Sequence, residues 1–190
     1  IHHGGFEYLY DKVGLYDTMR EVMCGRRWAS EITNAWEAVH DIKGNMLSFL
    51  ENHDEQRVAS PQFAGSAIPG RPVILVSACL TNGPVMVYFG QELGEPAVDA
   101  EGFSGQDGRS TIFDYWTLQS LRRMRHDEQT AEELEMEKFY SRLFNIVRKE
   151  QSIQEGELYD LTYCNPPSPD YAPQNVYSFL RHTEQEVCLV

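Results

Sequence analysis

A chain of 190 residues can bury one good core without disulfides. Its 16 basic residues against 29 acidic ones leave a net charge of −13. That argues against nucleic acid or an anionic membrane surface as a partner, since both need Lys and Arg to neutralise phosphates. The balance fits a soluble protein acting on a neutral or cationic ligand.

In chain order, the aromatic, glycine-bounded stretch "GGFEYLY" (4–10) predicts a strand. A helix over 15–24 follows, with Leu15, Met19, Val22 and Met23 at helical spacing and Gly25 as its stop. Residues 26–44, with Trp28 and Trp36, form a longer excursion with some helical pattern. "NMLSFL" (45–50) predicts a strand buried on both faces, a short apolar run rather than an alternation. "AIPGRPVILVSACL" leads into a helix and "VMVYFG" (85–90) into another strand. The stretch 72–89 has no charge across 18 residues, but Thr81, Asn82, Gly83 and Pro84 are turn chemistry. It therefore reads as a helix, a turn and a strand, not a membrane span.

Residues 95–115 hold three glycines and little periodicity, and so long a loop in a compact domain is usually functional or disordered. Thr130 and Glu133 form a capping box for a helix over 130–150, whose apolar face is Met136, Phe139, Tyr140, Leu143, Phe144 and Val147. From 156 the period becomes two, in "GELYDLTYCN" and "NVYSFLRH" around the turn "PPSPDYAP". Strands without intervening helices predict a separate β module. The expected division is an α/β domain over 1–155 and the start of a β domain over 156–190.

Cys24, Cys79, Cys164 and Cys188 lie far apart with no C-x-x-C pair, so no disulfide framework is expected; Cys79 packs as a small hydrophobe. There is no initiator Met, and the final "EVCLV" reads as a strand, so the chain is expected to be a segment of something longer. A signal peptide would lie before residue 1, which leaves the compartment open.

Parallel α/β proteins build their sites where a strand runs into its following loop. Asn52, His53 and Asp54 occupy that position after "NMLSFL", and Gln91 and Glu92 occupy it after "VMVYFG". Taken alone, the triplet is equally consistent with local turn chemistry. Two consecutive strand ends presenting carboxylates, an imidazole and amides favour a site.

These segments carry a resemblance. "FLENHDEQR" (49–57) resembles the Phe-x-x-Asn-His-Asp motif on the seventh barrel strand of the α-amylase family, glycoside hydrolase family 13. "GPVMVYFGQELGE" is similar to that family's eighth-strand motif at Gly83, Pro84, Tyr88, Gly90, Glu92 and Gly94, although Gly83 and Pro84 are adjacent where the motif spaces them by one. "FEYLYDKVGLYDT" resembles the sixth-strand region of bacterial members.

The resemblance covers essentially the whole chain. It implies the C-terminal portion, about strands six to eight, of a (β/α)8 TIM barrel, followed by the start of an all-β sandwich domain. The implied activity is retaining cleavage of α-glucosidic bonds in starch-like α-glucans or maltooligosaccharides. One carboxylate attacks the anomeric carbon and a second protonates the leaving oxygen.

By resemblance Asp54 is the third carboxylate, which stabilises the oxocarbenium-like transition state, and His53 bonds a hydroxyl of the same sugar. Asn52, Arg57 and Glu92 complete the implied substrate-binding set. The family's nucleophile Asp and acid Glu lie upstream of residue 1. Glu7, Asp11 and Asp17 lack the flanking residues that would make them substitutes.

The neighbours divide. Glu51 and Glu55 read as solvated loop charges, and Arg57 reads as the partner of a nearby carboxylate. Glu92 reads as a buried structural carboxylate ahead of a substrate contact. Tyr10 is either a sugar-stacking platform or barrel packing.

"DAEGFSGQDGRS" (99–110) fails calcium-loop spacing, and His2–His3 read as loop residues, so this segment is expected to hold no metal or cofactor. The resemblance allows calcium in the upstream part, and secreted, periplasmic or cytoplasmic location. Two other functions stay open: an α-glucan transglycosylase or branching-type enzyme of the same family, and a non-catalytic amylase-like binding subunit.

Overall fold

The computed structural model describes residues 4–98, 107–114 and 117–190. Two compact units emerge. The first comprises 1–49, 75–86 and 145–190, and the second 50–74 and 87–144.

The first unit holds a parallel sheet of three short strands, β1 (Leu9–Tyr10), β2 (Met46–Phe49) and β3 (Val85–Met86), in that order. Leu9 pairs with Met46 and Tyr10 with Leu47; Ser48 pairs with Val85 and Phe49 with Met86. Parallel neighbours need crossover connections, which here carry helices. β2 lies in the middle, with Met46, Ser48 and Phe49 buried and Leu47 half-buried, close to the two-sided burial expected of a central parallel strand.

Between β1 and β2 run α1 (Asp17–Met23) and α2 (Ile32–Glu37), flanked by a π-helical turn at Lys12–Tyr16 and 3-10 turns at Ala29–Glu31 and His40–Asn45. The Asp11 carboxylate accepts the Leu15 N–H at 2.9 Å and starts the first of these. Tyr16 stacks on Phe49 with ring centres 5.0 Å apart. α1 ends where Gly25 takes φ +70°. The connection from β2 to β3 carries α3 (Arg71–Cys79) and the "TNGP" turn. A Cβ on Gly83 would lie 2.2 Å from the Met46 carbonyl oxygen, so only glycine lets this turn approach β2.

β1 and β3 are two residues each, shorter than the runs 4–10 and 85–90 suggest. Phe6 and Tyr8 are exposed. Beyond Met86 the backbone leaves the ladder: the Tyr88 N–H donates to Gln91 Oε1 at 3.0 Å, and Gly90 turns at φ +82°.

The second sheet is antiparallel and separate: β4 (Glu157–Asp160), β5 (Phe179–His182) and β6 (Val187–Leu189). Glu157 pairs with His182, and His182 with Val187. This is the β-only arrangement that the period of two predicts. Its inward face carries Phe179 and Arg181, both fully buried.

The Arg181 guanidinium donates to the Leu80 carbonyl just beyond α3 at 2.7 Å, and to Asn82 Oδ1 at 2.6 Å. It also bonds the Ser152, Ile153 and Gly156 carbonyls around α6 (Gln151–Gln154). Asp160 Oδ2 accepts from Thr33 Oγ1 at 2.7 Å, Trp36 Nε1 at 3.0 Å and the Tyr177 hydroxyl at 2.8 Å.

The second unit contains α4 (Gln119–Arg125) and residues 131–144 of α5 (Ala131–Lys149). Leu93, Leu118 and Leu121 form one buried apolar cluster in it, with Phe89 and Met124 packed against them. The capping box of α5 is present: the Thr130 N–H donates to Glu133 Oε2 at 2.8 Å, and Thr130 Oγ1 accepts the Glu133 N–H at 3.2 Å. Met136, Tyr140 and Leu143 are the buried centre of the predicted apolar face.

None of the four cysteines is in a disulfide. Among the described residues no helix is long and apolar enough to cross a membrane.

Candidate active site

The triplet sits directly after β2 and is organised by its first member. Asn52 Oδ1 accepts the N–H of Asp54 at 2.7 Å and of Glu55 at 2.9 Å, a side-chain turn that fixes the chain as it leaves the strand. The local turn reading therefore describes Asn52 itself. Its consequence is that His53 and Asp54 point outward together, with Nε2 and Oδ2 at 3.3 Å and side chains 56% and 73% exposed. An exposed carboxylate beside an imidazole can accept and donate hydrogen bonds to a polyhydroxylated ligand at one place.

Behind the turn, Glu51 and Arg57 are withdrawn from solvent. Glu51 corrects the sequence reading: it is not a solvated loop charge. Its Oε2 accepts from Arg57 Nη1 at 2.7 Å and its Oε1 accepts the Val58 N–H at 2.7 Å, so one carboxylate closes the base of the loop 51–58. Burial pushes the Glu51 carboxyl above its ordinary range; Arg57 and the Val58 N–H oppose this, and the nearby Glu95 charge adds to it. Glu55, by contrast, is only half-buried.

Arg57 donates to Glu51, to the Phe89 carbonyl at 2.8 Å and, through Nε and Nη2, to Ser110 Oγ at 2.8 and 2.5 Å. Its guanidinium also lies 4.6 Å from the Tyr88 ring centre and 5.0 Å from that of Phe89. The Tyr88 hydroxyl is pushed upward by burial, with Arg57 opposing and the charges of Asp114, Glu51 and Asp54 adding.

Glu92 is half-buried on the 3-10 turn Gln91–Leu93, between Gly90 and Gly94, both at positive φ. It faces an open cleft of about 500 Å³ lined also by Tyr88, Phe89, Glu137, Tyr140 and Phe144. The triplet does not line that cleft. Gln91 is the structural member of the pair, since its Nε2 donates to the Tyr140 hydroxyl at 2.8 Å.

Tyr10 is half exposed and meets Phe49 edge-on at 5.3 Å. Glu95, also buried, accepts from the Ala97 N–H at 2.9 Å and from Ser120 Oγ. The sequence reading missed Glu51, Glu95 and Ser110 as members of this polar interior. The one available signal was the adjacency of Glu51 to a strand too apolar to end in water.

His2–His3 and residues 99–106 of the tested calcium loop lie outside the described residues. Among the described residues no cluster of three or more His, Cys, Asp or Glu could hold a metal ion.

No family model matches the chain, and no curated relative matches it. Solved structures do. The crystal structure of α-amylase from H.orenii superposes with a TM-score of 0.62 at 16% identity, over 97% of this chain and 38% of that one. AmyP in complex with maltose gives 0.63 at 16% identity, over 95% and 38%. A cyclomaltodextrinase gives 0.62 at 14% identity, over 93% and 27%.

The chain has the α-amylase fold. It spans between 27% and 38% of the length of these three structures.

Proposed function

We propose that the chain is the C-terminal part of an α-amylase-type glycoside hydrolase acting on starch-like α-glucans. In this reading β1, β2 and β3 are strands six to eight of a (β/α)8 barrel within residues 1–155, and 156–190 begin the C-terminal β-sandwich. Asp54 supports the positive charge that develops on the sugar ring, and His53 bonds a hydroxyl of the same sugar. Asn52 holds the turn, Arg57 anchors it from behind, and Glu92 belongs to the neighbouring wall. The nucleophile and the acid come from upstream of residue 1. No metal or cofactor is assigned to this segment, and calcium, where present, belongs to the upstream part.

One observation carries this reading: the Asn52 turn leaves His53 and Asp54 side by side and open to solvent at the end of a buried central parallel strand. That is the position from which parallel α/β folds act. The net charge of −13 suits a neutral glucan.

The test is Asp54→Asn in the full-length protein, which keeps shape but removes the charge. We expect kcat on soluble starch to fall about 10²-fold or more, on the order of 3 kcal/mol, with little change in substrate affinity and an unchanged Tm. A folded variant with near-normal kcat would reject the assignment. Product analysis of the wild type, sugars released against chains rearranged, separates hydrolysis from transglycosylation. Glucan binding without any turnover would favour a binding subunit.

A further inference from the structure

Within the second unit, Arg57 is a fully buried cation whose four hydrogen bonds go to three separate stretches of chain. Glu51 lies at the base of the loop bearing His53 and Asp54. Phe89 lies in the segment that runs on to Glu92, and Ser110 in the stretch 107–114. A fourth tie is made by backbone, as the Arg57 N–H donates to the Gly108 carbonyl at 2.7 Å. Gly108 itself is held at φ +73°, where an added Cβ would fall 2.6 Å from the Ser60 Cβ.

Lysine could not satisfy these acceptors together, since its single ammonium cannot fork to Glu51, the Phe89 carbonyl and Ser110 at once. The planar guanidinium is further fixed by the aromatic rings of Tyr88 and Phe89.

A surface arginine holding one carboxylate would add little. A buried one that spends its donors on three segments defines where those segments stand relative to one another. The loop between Glu51 and Val58 is closed at its neck by the two oxygens of Glu51, and Asp54 stands near its tip. Displacing Arg57 therefore frees the neck of that loop and the segment leading to Glu92 together.

We propose that Arg57, through its pair with Glu51, is a positioning residue: it fixes the Asp54 loop against the Phe89–Glu92 segment, and does not itself touch sugar. This inference rests on the proposed role of Asp54. It predicts that rate depends on the guanidinium fork even where charge and fold are kept.

Three variants of the full-length protein test it, each measured for Tm, kcat and KM on soluble starch. Arg57→Lys keeps the charge and loses the fork. Glu51→Gln with Arg57→Met removes both charges, so that neither is left buried alone. Asp54→Asn reports whether the underlying functional reading holds.

We expect Arg57→Lys and the double variant to lose about 10-fold or more in kcat with KM changed by less than about threefold, because a small misplacement of a reacting group is felt in the transition state. The double variant should do so while keeping a Tm near wild type. A double variant, folded by that measure, with wild-type kcat overturns the positioning role, and so does a rise in KM at unchanged kcat, the mark of a direct substrate contact. If Asp54→Asn is itself fully active, the failure lies with the functional reading; if Asp54→Asn is inactive and the double variant is not, it lies with Arg57 alone.

Discussion

Trp36 Nε1 donates to Asp160 Oδ2 at 3.0 Å, joining α2 to β4 across 124 residues of chain. Thr33, Tyr177 and the Thr162 N–H converge on the same carboxylate. Burial alone would raise its pKa, but these hydrogen bonds outweigh burial and hold it below the ordinary Asp value.

A depressed carboxylate stabilises the fold above its unfolded pKa, about 3.9, and that contribution is lost as pH falls through the lower folded value. Acid titration followed by circular dichroism should therefore show wild-type stability dropping below about pH 4. Asp160→Asn should lower Tm at pH 7 and flatten the acid limb, so that the two proteins converge at low pH. Parallel curves at all pH values would remove Asp160 from the acid response.

Arg181→Met should be strongly destabilising. It keeps the apolar stem but removes the guanidinium donors of the buried Leu80 and Ile153 carbonyls and leaves the Gly156 carbonyl only the longer bond from Asn82 Nδ2. A loss of about 3 kcal/mol or more is expected in chemical denaturation, from several hydrogen bonds to a charged group at about 1.5–3 kcal/mol each before relaxation. Arg181→Lys should recover only part of it, since an ammonium cannot reach all five acceptors. A loss below about 1 kcal/mol for the Met variant would show that water or other groups replace the donor.

Asn52→Ala separates turn from chemistry. It removes the acceptor of two backbone N–H groups and should cost about 1 kcal/mol in stability, as the loss of a helix cap does. In the full-length protein kcat should fall less than in Asp54→Asn, because the Asp54 carboxylate survives on a looser turn. Asn52→Asp, which keeps an acceptor oxygen, should restore most of the stability. Equal losses of kcat in the Asn52→Ala and Asp54→Asn proteins would assign Asn52 a direct contact.

If the nucleophile and the acid belong to the upstream part, as proposed, the 190-residue chain by itself should not hydrolyse starch or a chromogenic α-glucoside. Turnover by the purified chain that disappears on changing one of its own carboxylates would refute the assignment of nucleophile and acid to the upstream part.

The elements that sequence made legible are those whose pattern is set locally. The capping box at Thr130, the apolar run of β2, the Gly25 stop and the period of two beyond residue 156 are each fixed by neighbours a few residues away. The lengths of β1 and β3 were not, since a strand lasts only as long as its ladder and Gln91 takes the Tyr88 N–H out of it.

Glu51 was hidden for a related reason. A carboxylate in a polar loop reads as solvated until its cation is known, and Arg57 is held there by Ser110 and Phe89, distant in sequence. Arg181 left a trace in the alternation, standing two residues from Phe179 and so on the same inward face. Asn52, His53 and Asp54 were visible as a set, while their division into one turn-former and two outward groups required the backbone.

Arg181 also bears on ionic strength. Its partners are carbonyl oxygens and an amide, not ions, and it is shut away from solvent. Mobile ions gather around exposed charges and weaken them, as they will for Lys12 with Asp17 or Arg26 with Glu21. They cannot enter a cage of backbone dipoles. The hydrogen bonds that Arg181 makes between the β module and the end of α3 should therefore weaken less with added salt than those surface pairs do.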